Sequence, residues 1–134
     1  MTVRPNARPF PGAAADTVGG EPDSVIRRLA TEVARRGWSV RRQSPAEGYL
    51  ETEWHDLRTA RPSNEAHRGS DRVIKLRAWA DYLPPNETVV VLEAVYRRST
   101  DPSQPGRELE VLAPPTHPAD SLVRDLLRVL EGPR

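Results

Sequence analysis

The chain has 134 residues, no cysteine and a formal net charge of +1 at pH 7. This length fits one domain and is short for two. The lack of cysteine excludes disulfides, thiolate metal sites and cysteine nucleophiles. A charge so close to zero gives no electrostatic reason to expect nucleic acid or an anionic membrane surface as a partner.

The first 21 residues differ in composition from the rest of the chain. They are rich in proline, glycine and alanine and have no hydrophobic period, which predicts a flexible leader or tether over 1–21. A single α+β domain is predicted over 22–134. The leader lacks the continuous apolar stretch of a signal peptide. Either the protein is cytoplasmic, or it is an exported domain whose signal was replaced by Met1.

Two segments have the apolar spacing of amphipathic helices. Asp23 or Ser24 can cap the start of the first helix, and Gly37 is placed to end it. Thr116 can cap the second helix, and Gly132 is placed to end that one. The apolar stripes are Val25, Ile26, Leu29, Ala30 and Val33 in the first helix, and Leu122, Val123, Leu126, Leu127 and Leu130 in the second.

The stretch between the helices alternates in hydrophobicity and predicts strands. They lie at 38–42, 49–55, 72–82 and 87–98, with 107–113 as a candidate fifth strand at the sheet edge, and the polar stretch 56–71 is an exposed loop. Strands and helices do not alternate along the chain. The fold class is therefore α+β: an antiparallel meander sheet of four to five strands, with the N-terminal and C-terminal helices packed on one face.

Alternation divides the strand side chains between a core face and an outer face. The predicted core face consists of Leu50, Thr52, Trp54, Ile74, Leu76, Ala78, Val90, Leu92, Ala94 and Tyr96. On the outer face, Glu51 and Glu53 lie on the same side as Lys75, Arg77 and Glu93. We expect cross-strand ion pairs there, each contributing about 0.2–1 kcal/mol.

The same stretch contains residue types that catalyse reactions or bind metals. Acid–base catalysis needs a pocket that separates the pKa values of two carboxyl groups, and alternating residues on a sheet face do not provide one. A metal site built from Glu53, His55 and either His67 or His117 would need three or four converging ligands, and the three histidines have no recognised spacing. No phosphate-binding loop or nucleophile elbow occurs. We expect no enzyme activity, no cofactor and no metal.

The outer face also holds more apolar side chains than a solvated sheet face needs. They are Tyr49, Val73, Trp79, Val89, Val91 and Val95. An apolar patch surrounded by charge is typical of a contact surface. Two alternatives follow: the patch binds a partner, or the N-terminal leader or a second copy of the chain covers it.

The stretch from Val25 to Trp54 resembles the small repeated domains of BamC-type (NlpB-like) outer-membrane assembly lipoproteins. The matching positions are Leu29, Val33, Gly37, Trp38, Val40, Gly48, Thr52 and Trp54. The resemblance implies a helix-grip-like layer of two helices on an antiparallel sheet. It also implies a non-enzymatic accessory role in the periplasm or at the outer membrane, with a lipidated cysteine before the leader. This sequence lacks that cysteine.

These observations predict a binding or scaffolding module of the bacterial cell envelope. It would contact a protein partner, or associate with itself, through the outer sheet face, and would reach a membrane only through a lipid anchor. Nucleic acid is not expected as a partner. The alternative is a cytoplasmic small-molecule-binding or enzymatic domain with a pocket between the sheet and the helices.

Overall fold

The structure, a computed structural model, describes residues 4–5, 8–63, 71–97 and 110–131. Within these ranges the chain forms an α+β fold, as the sequence predicts. The strands are β1 (Ala14–Gly19), β2 (Val40–Ser44), β3 (Tyr49–Thr52), β4 (His55–Asp56), β5 (Arg61–Pro62), β6 (Val73–Leu83), β7 (Glu87–Arg97) and β8 (Glu110–Leu112), and the helices are α1 (Pro22–Arg35) and α2 (Pro118–Glu131).

The sheet is antiparallel and has the strand order β1-β7-β6-β3-β2. Four neighbouring strands of this order, β2, β3, β6 and β7, form the predicted meander. Two strands share the outer edge of β7: β1 pairs with its first half and β8 with its last three residues. The short strand β4 pairs with the first two residues of β6, next to the stretch of β6 that pairs with β3. Strand β5 then pairs with β4. Part of the predicted loop 56–71 therefore belongs to a small strand pair, while 64–70 lies outside the described residues.

The structure corrects the extent of the N-terminal leader. Residues 14–19, assigned to a flexible leader by their composition, form β1 and pair with β7 over the full length of the strand. The sequence ADTV offers only one large apolar side chain, Val18, and that side chain is buried in the core. A single apolar residue gives too weak a period to predict a strand.

Both helices pack on the same face of the sheet, and their apolar stripes form the core with the sheet's core face. The buried core includes Val25, Ile26, Leu29, Val33, Leu50, Ile74, Leu76, Ala78, Val90, Leu92, Ala94, Val123, Leu126 and Leu130. The predicted core-face strand residues are thus confirmed, with the exception described below. The buried apolar core therefore lies between the sheet and the helices.

Gly37 follows the C-terminal cap of helix α1 and stops the helix, as predicted. The Gly37 N–H donates to the Ala34 carbonyl and the Trp38 N–H to the Val33 carbonyl, both at 3.0 Å, which is a Schellman pattern. Gly37 has a φ of +92°, a value that favours glycine. The predicted caps at the other end are wrong, because the capping position is Glu21 and no side chain bonds there.

Helix α2 is capped by His117 rather than by Thr116. The His117 ring accepts a hydrogen bond through Nδ1 from the Ala119 N–H at 3.0 Å. The side chain thereby satisfies one of the free N–H groups in the first turn, as a serine or threonine cap would. Gly132, the predicted end of this helix, lies outside the described residues.

A bulge after Thr52 changes which side chains face the core. Glu51 pairs with Arg77, and His55 pairs with Ile74, so the chain advances four residues (51 to 55) while β6 advances three (77 to 74). One extra residue moves every following side chain to the opposite face. His55, predicted to face outward, is therefore buried on the helix side.

Trp54 is also displaced by this bulge, and its predicted place in the core is wrong. Its ring lies on the outer face, where Nζ of Lys75 is 5.0 Å from the ring centre. Trp38 packs in the core instead. Its ring stacks on His55, with centroids 4.0 Å apart and an interplanar angle of 14°.

Candidate functional site

The six apolar residues predicted to form a contact surface lie together on the outer face of β3, β6 and β7. Four of them are buried: Tyr49, Val73, Trp79 and Val95. Val89 and Val91 are half-buried. A partner can therefore reach the two valines directly, but it could contact the other four only if the chain around them moved.

Arg77 lies on the outward side of β6, and its guanidinium contacts three carboxylates. Nη1 donates to Oε2 of Glu93 at 3.0 Å, Nη2 lies 2.7 Å from Oε1 of Glu110, and Nε lies 3.4 Å from Oε1 of Glu51. The Arg77 side chain is 6% exposed and that of Glu93 is 0% exposed. The planar guanidinium presents its donors in a fixed fork, which lets one cation serve several carboxylates. We refer to these four residues as the ion cluster.

Glu51 also contacts a second cation and a hydroxyl group. Nζ of Lys75 lies 3.6 Å from Oε2 of Glu51, and the Tyr49 hydroxyl donates to Oε1 at 2.8 Å. The ring of Tyr49 in turn meets the edge of Trp79, with centroids 5.6 Å apart. The ion cluster is therefore bounded on one side by two aromatic rings.

The ion pairs predicted from the register exist for Glu51 with Lys75 and Arg77. They are buried, although the sequence predicted a solvated face. Glu53 is exposed and takes part in no ion pair within the described ranges. Because it lies at the bulge, its main chain follows β2 instead, and its N–H donates to the Ser39 carbonyl at 2.8 Å.

Burial and charge shift the pKa values of this site in opposite directions. Burial raises the pKa of Glu51, but the Tyr49 hydroxyl, Lys75 and Arg77 together hold that pKa below its ordinary value. Burial lowers the pKa of Lys75 more than the Glu51 carboxylate raises it. Burial and the same carboxylate both raise the pKa of Tyr49. At neutral pH Glu51 is ionised and Tyr49 protonated, so neither group is poised for proton transfer.

The N-terminal segment, residues 4–5 and 8–13 of the described chain, lies on this outer face. Arg4 donates from Nη1 to Oδ1 of Asp81 at 2.8 Å and to the Glu47 carbonyl at 3.1 Å. Six residues later, the Phe10 N–H donates to Oε1 of Glu93 at 2.9 Å. Of the alternatives raised by the sequence, the structure therefore has the N-terminal segment on the apolar face.

A turn connects this segment to β1. The Ala13 N–H donates to the Phe10 carbonyl at 3.1 Å, and Gly12 has a φ of +89°. The turn reverses the chain, so that β1 runs along the edge of β7 while the preceding residues lie over the sheet. Glu93 thus bonds both to Arg77 beneath it and to the main chain above it.

Sequence reasoning missed the residues of this site that lie outside the predicted outer-face set, namely Arg4, Phe10, Glu47, Asp81 and Glu110. Arg4 and Phe10 belong to a stretch whose composition is typical of disorder. One signal was available, because Phe10 is the only phenylalanine in the chain and it precedes a sheet face rich in unexplained apolar residues. Glu110 was assigned to a candidate strand but not to a partner, since its distance in sequence from Arg77 gives no pairing rule.

The exposed arginines of the helices do not form an unpaired basic patch. Arg27 pairs with Asp23 at 3.2 Å and Arg124 with Asp120 at 2.9 Å, each one turn away on the same helix. Exposed pairs of this kind contribute about 0.3–0.5 kcal/mol. They make the helical surface close to neutral and provide control positions for the experiments below.

His55 forms a second buried site on the helix side of the sheet. It is 3% exposed, and its Nδ1 has no hydrogen-bond partner in the described part of the chain. Burial lowers the pKa of His55, against a smaller opposing effect of the Asp56 carboxylate. The ring is therefore neutral at pH 7 and packs against Trp38 as an aromatic core residue.

A scan against protein-family models finds no family that matches this chain, and a search of curated proteins finds no match. Within the described ranges, neither helix has the length and apolar character needed to cross a bilayer. The described residues include no group of three or more His, Asp or Glu placed to hold a metal ion.

Replacing Arg77 with methionine tests the energetic role of the ion cluster. The Arg77→Met substitution leaves the carboxylates of Glu93 and Glu110 buried without their cation, which typically costs about 3–5 kcal/mol. Urea unfolding measures the loss. The matched control is Arg128→Met, which removes an exposed pair with Asp125 and should change the free energy of unfolding by less than about 0.5 kcal/mol. A loss below about 1 kcal/mol for Arg77→Met would contradict the assignment.

Because His55 is buried, we expect the folded protein to lose stability in mild acid. Because the pKa of His55 is lower in the fold than in the unfolded chain, the unfolded state binds more protons, and stability falls as pH drops below about 6.5. His55→Phe keeps an aromatic ring on Trp38 and removes the titration. Urea unfolding at about pH 7.5 and about pH 5.5 should show a smaller difference for this variant than for the wild type. Equal differences would show that His55 does not titrate in this way.

Proposed function

We propose that this protein is a non-enzymatic binding module that holds a protein partner on the outer face of its sheet. The observation that carries the proposal is that this face already holds a segment of the chain. The Phe10 N–H bonds to a buried carboxylate, Glu93, and Arg4 bonds to Asp81 and Glu47. Main-chain bonds combined with a few side-chain anchors are how folded domains recognise extended peptides.

The ion cluster gives this surface a fixed geometry. Breaking a buried pair is costly, whereas apolar residues of similar volume often serve stability equally well. The main role of Arg77 is therefore to position its partners rather than to add net stability. It holds the Glu93 carboxylate in place, with one oxygen available to the chain above. The adjacent valines Val89 and Val91 supply half-buried apolar surface beside it.

Two observations favour binding over catalysis. The carboxylates of the ion cluster are each within contact distance of Arg77, so each already has a cationic partner. The buried apolar core lies between the sheet and the helices, where the alternative function would need a pocket.

We place this binding module in the bacterial cell envelope, in the periplasm or at the outer membrane. The support is the resemblance of residues 25–54 to BamC-type lipoprotein domains, whose helix, glycine and paired strands follow the order of α1, Gly37, β2 and β3. A lipid anchor on a preceding segment would be the contact with a membrane. Without an export signal the same surface would serve a cytoplasmic partner.

Site-specific photocross-linking in the native host tests the proposal. A diazirine amino acid replaces Val91 in one strain and Val129 in another; Val129 is a matched valine that is 44% exposed on α2. We expect the Val91 position to cross-link to one discrete protein and the Val129 position not to. The purified partner should then bind the chain at least about tenfold more weakly after Val91→Ser, which corresponds to about 1.4 kcal/mol.

Other cross-linking and binding results would contradict the proposal. Cross-links from Val91 that stay within the same chain, or the same products from both positions, would show that the outer face does not meet a partner. Binding that is unchanged by Val91→Ser would place the partner elsewhere on the surface.

A further inference from the structure

The contacts of the N-terminal segment define what this face can recognise. One end of the segment is an arginine, whose guanidinium bonds to both carboxylate oxygens of Asp81, at 2.8 and 3.3 Å. The other end is a main-chain N–H bonded to Glu93. The two anchors are six residues apart, Arg4 to Phe10, and six extended residues span at most about 20 Å.

Trp79 lies between these two anchors. On β6 the outward positions run Arg77, Trp79, Asp81, and across the sheet Trp79 pairs with Val91 and Asp81 with Val89. Trp79 is 2% exposed, and its Nε1 donor has no hydrogen-bond partner among the described residues. A buried donor without a partner is rare and costs free energy. The row is therefore an apolar floor beneath the N-terminal segment, and a carbonyl group can reach its one unused donor only where the chain that covers it moves.

At its arginine end, the segment that now lies on the face is anchored by bonds from Arg4 to Glu47 and by an ion pair with Asp81. The side chain of Arg4 is 32% exposed and that of Asp81 62% exposed. An exposed ion pair contributes about 0–1 kcal/mol. The anchor can therefore be replaced by a competing segment that makes the same bonds and also bonds to Trp79.

We propose that the outer face recognises an extended segment of a partner protein that carries an arginine and, six residues later, an apolar residue with a free main-chain N–H. The chain's own N-terminal segment is the intramolecular competitor for this site. The charge is complementary at the arginine end, where the anchoring side chain on the sheet is the Asp81 carboxylate. This inference rests on the proposed function and names the chemistry of the partner.

Fluorescence anisotropy with a labelled peptide tests the inference on the full-length chain. The probe is the peptide MTVRPNARPFPGA, residues 1–13 of this sequence. We expect it to bind the Arg4→Ala chain with a several-fold lower Kd than the wild-type chain, because the competitor is weakened. A peptide with its own arginine at position 4 replaced by alanine should bind neither chain measurably.

Two further variants separate recognition from general loosening. Asp81→Asn also releases Arg4 but removes the site for the arginine of the probe, so its Kd should not fall as it does in Arg4→Ala. Arg124→Ala removes an exposed ion pair on α2 and should bind the probe as the wild type does. Equal binding by all four chains, or equal binding of the two peptides, would overturn the inference.

The occupant is tested by sedimentation. If Arg4→Ala forms a concentration-dependent dimer and does not bind the peptide, the second occupant of the face is another copy of the chain, and the proposal of a separate partner is overturned. A cross-link from Val91 to a partner that lacks the arginine pattern would overturn this inference and leave the proposed function intact.

Discussion

The burial of one guanidinium group determines how the outer face of this sheet is organised. Arg77 sits at the centre of β6, where side chains on both sides of the sheet are excluded from water, and it contacts carboxylates from β3, β7 and β8. Each of these carboxylates would be costly to bury alone. Their positions are therefore linked: β8 contributes Glu110 to the edge of the sheet, and the register of β3 on β6 is the one that brings Glu51 to Arg77.

The same arrangement explains why the outer face is covered. Glu93 is fully buried, yet it accepts a bond from Arg77 through one oxygen and from the Phe10 N–H through the other. The N-terminal segment supplies a donor that water would otherwise supply. A sheet face with this much apolar and buried polar surface needs a covering chain, and a surface that accepts a chain through main-chain bonds is suited to accept another. Self-coverage and the proposed binding would thus use the same contacts.

Much of the fold follows from local patterns, whereas the site does not. The stripes of α1 and α2 and the core face of β6 and β7 are predictable because each has a clear period and many residues. The bulge at Trp54 is not, since tryptophan and histidine fit either face and one extra residue leaves no mark in composition. The strand β1 and the contacts of Phe10 depend on partners some 80 residues away, as the bond from Phe10 to Glu93 shows. Such contacts are decided by tertiary packing, and a proline- and glycine-rich composition conceals them.

Amide hydrogen exchange at Phe10 tests the central claim most directly. The claim is that the N-terminal segment is held on the outer face by Glu93 in the folded chain. Residue-resolved NMR exchange on the wild-type protein should show the Phe10 amide exchanging far more slowly than the same amide in the isolated peptide of residues 1–13. Exchange at the rate of the isolated peptide, in a protein whose β6 and β7 amides are protected, would contradict the account.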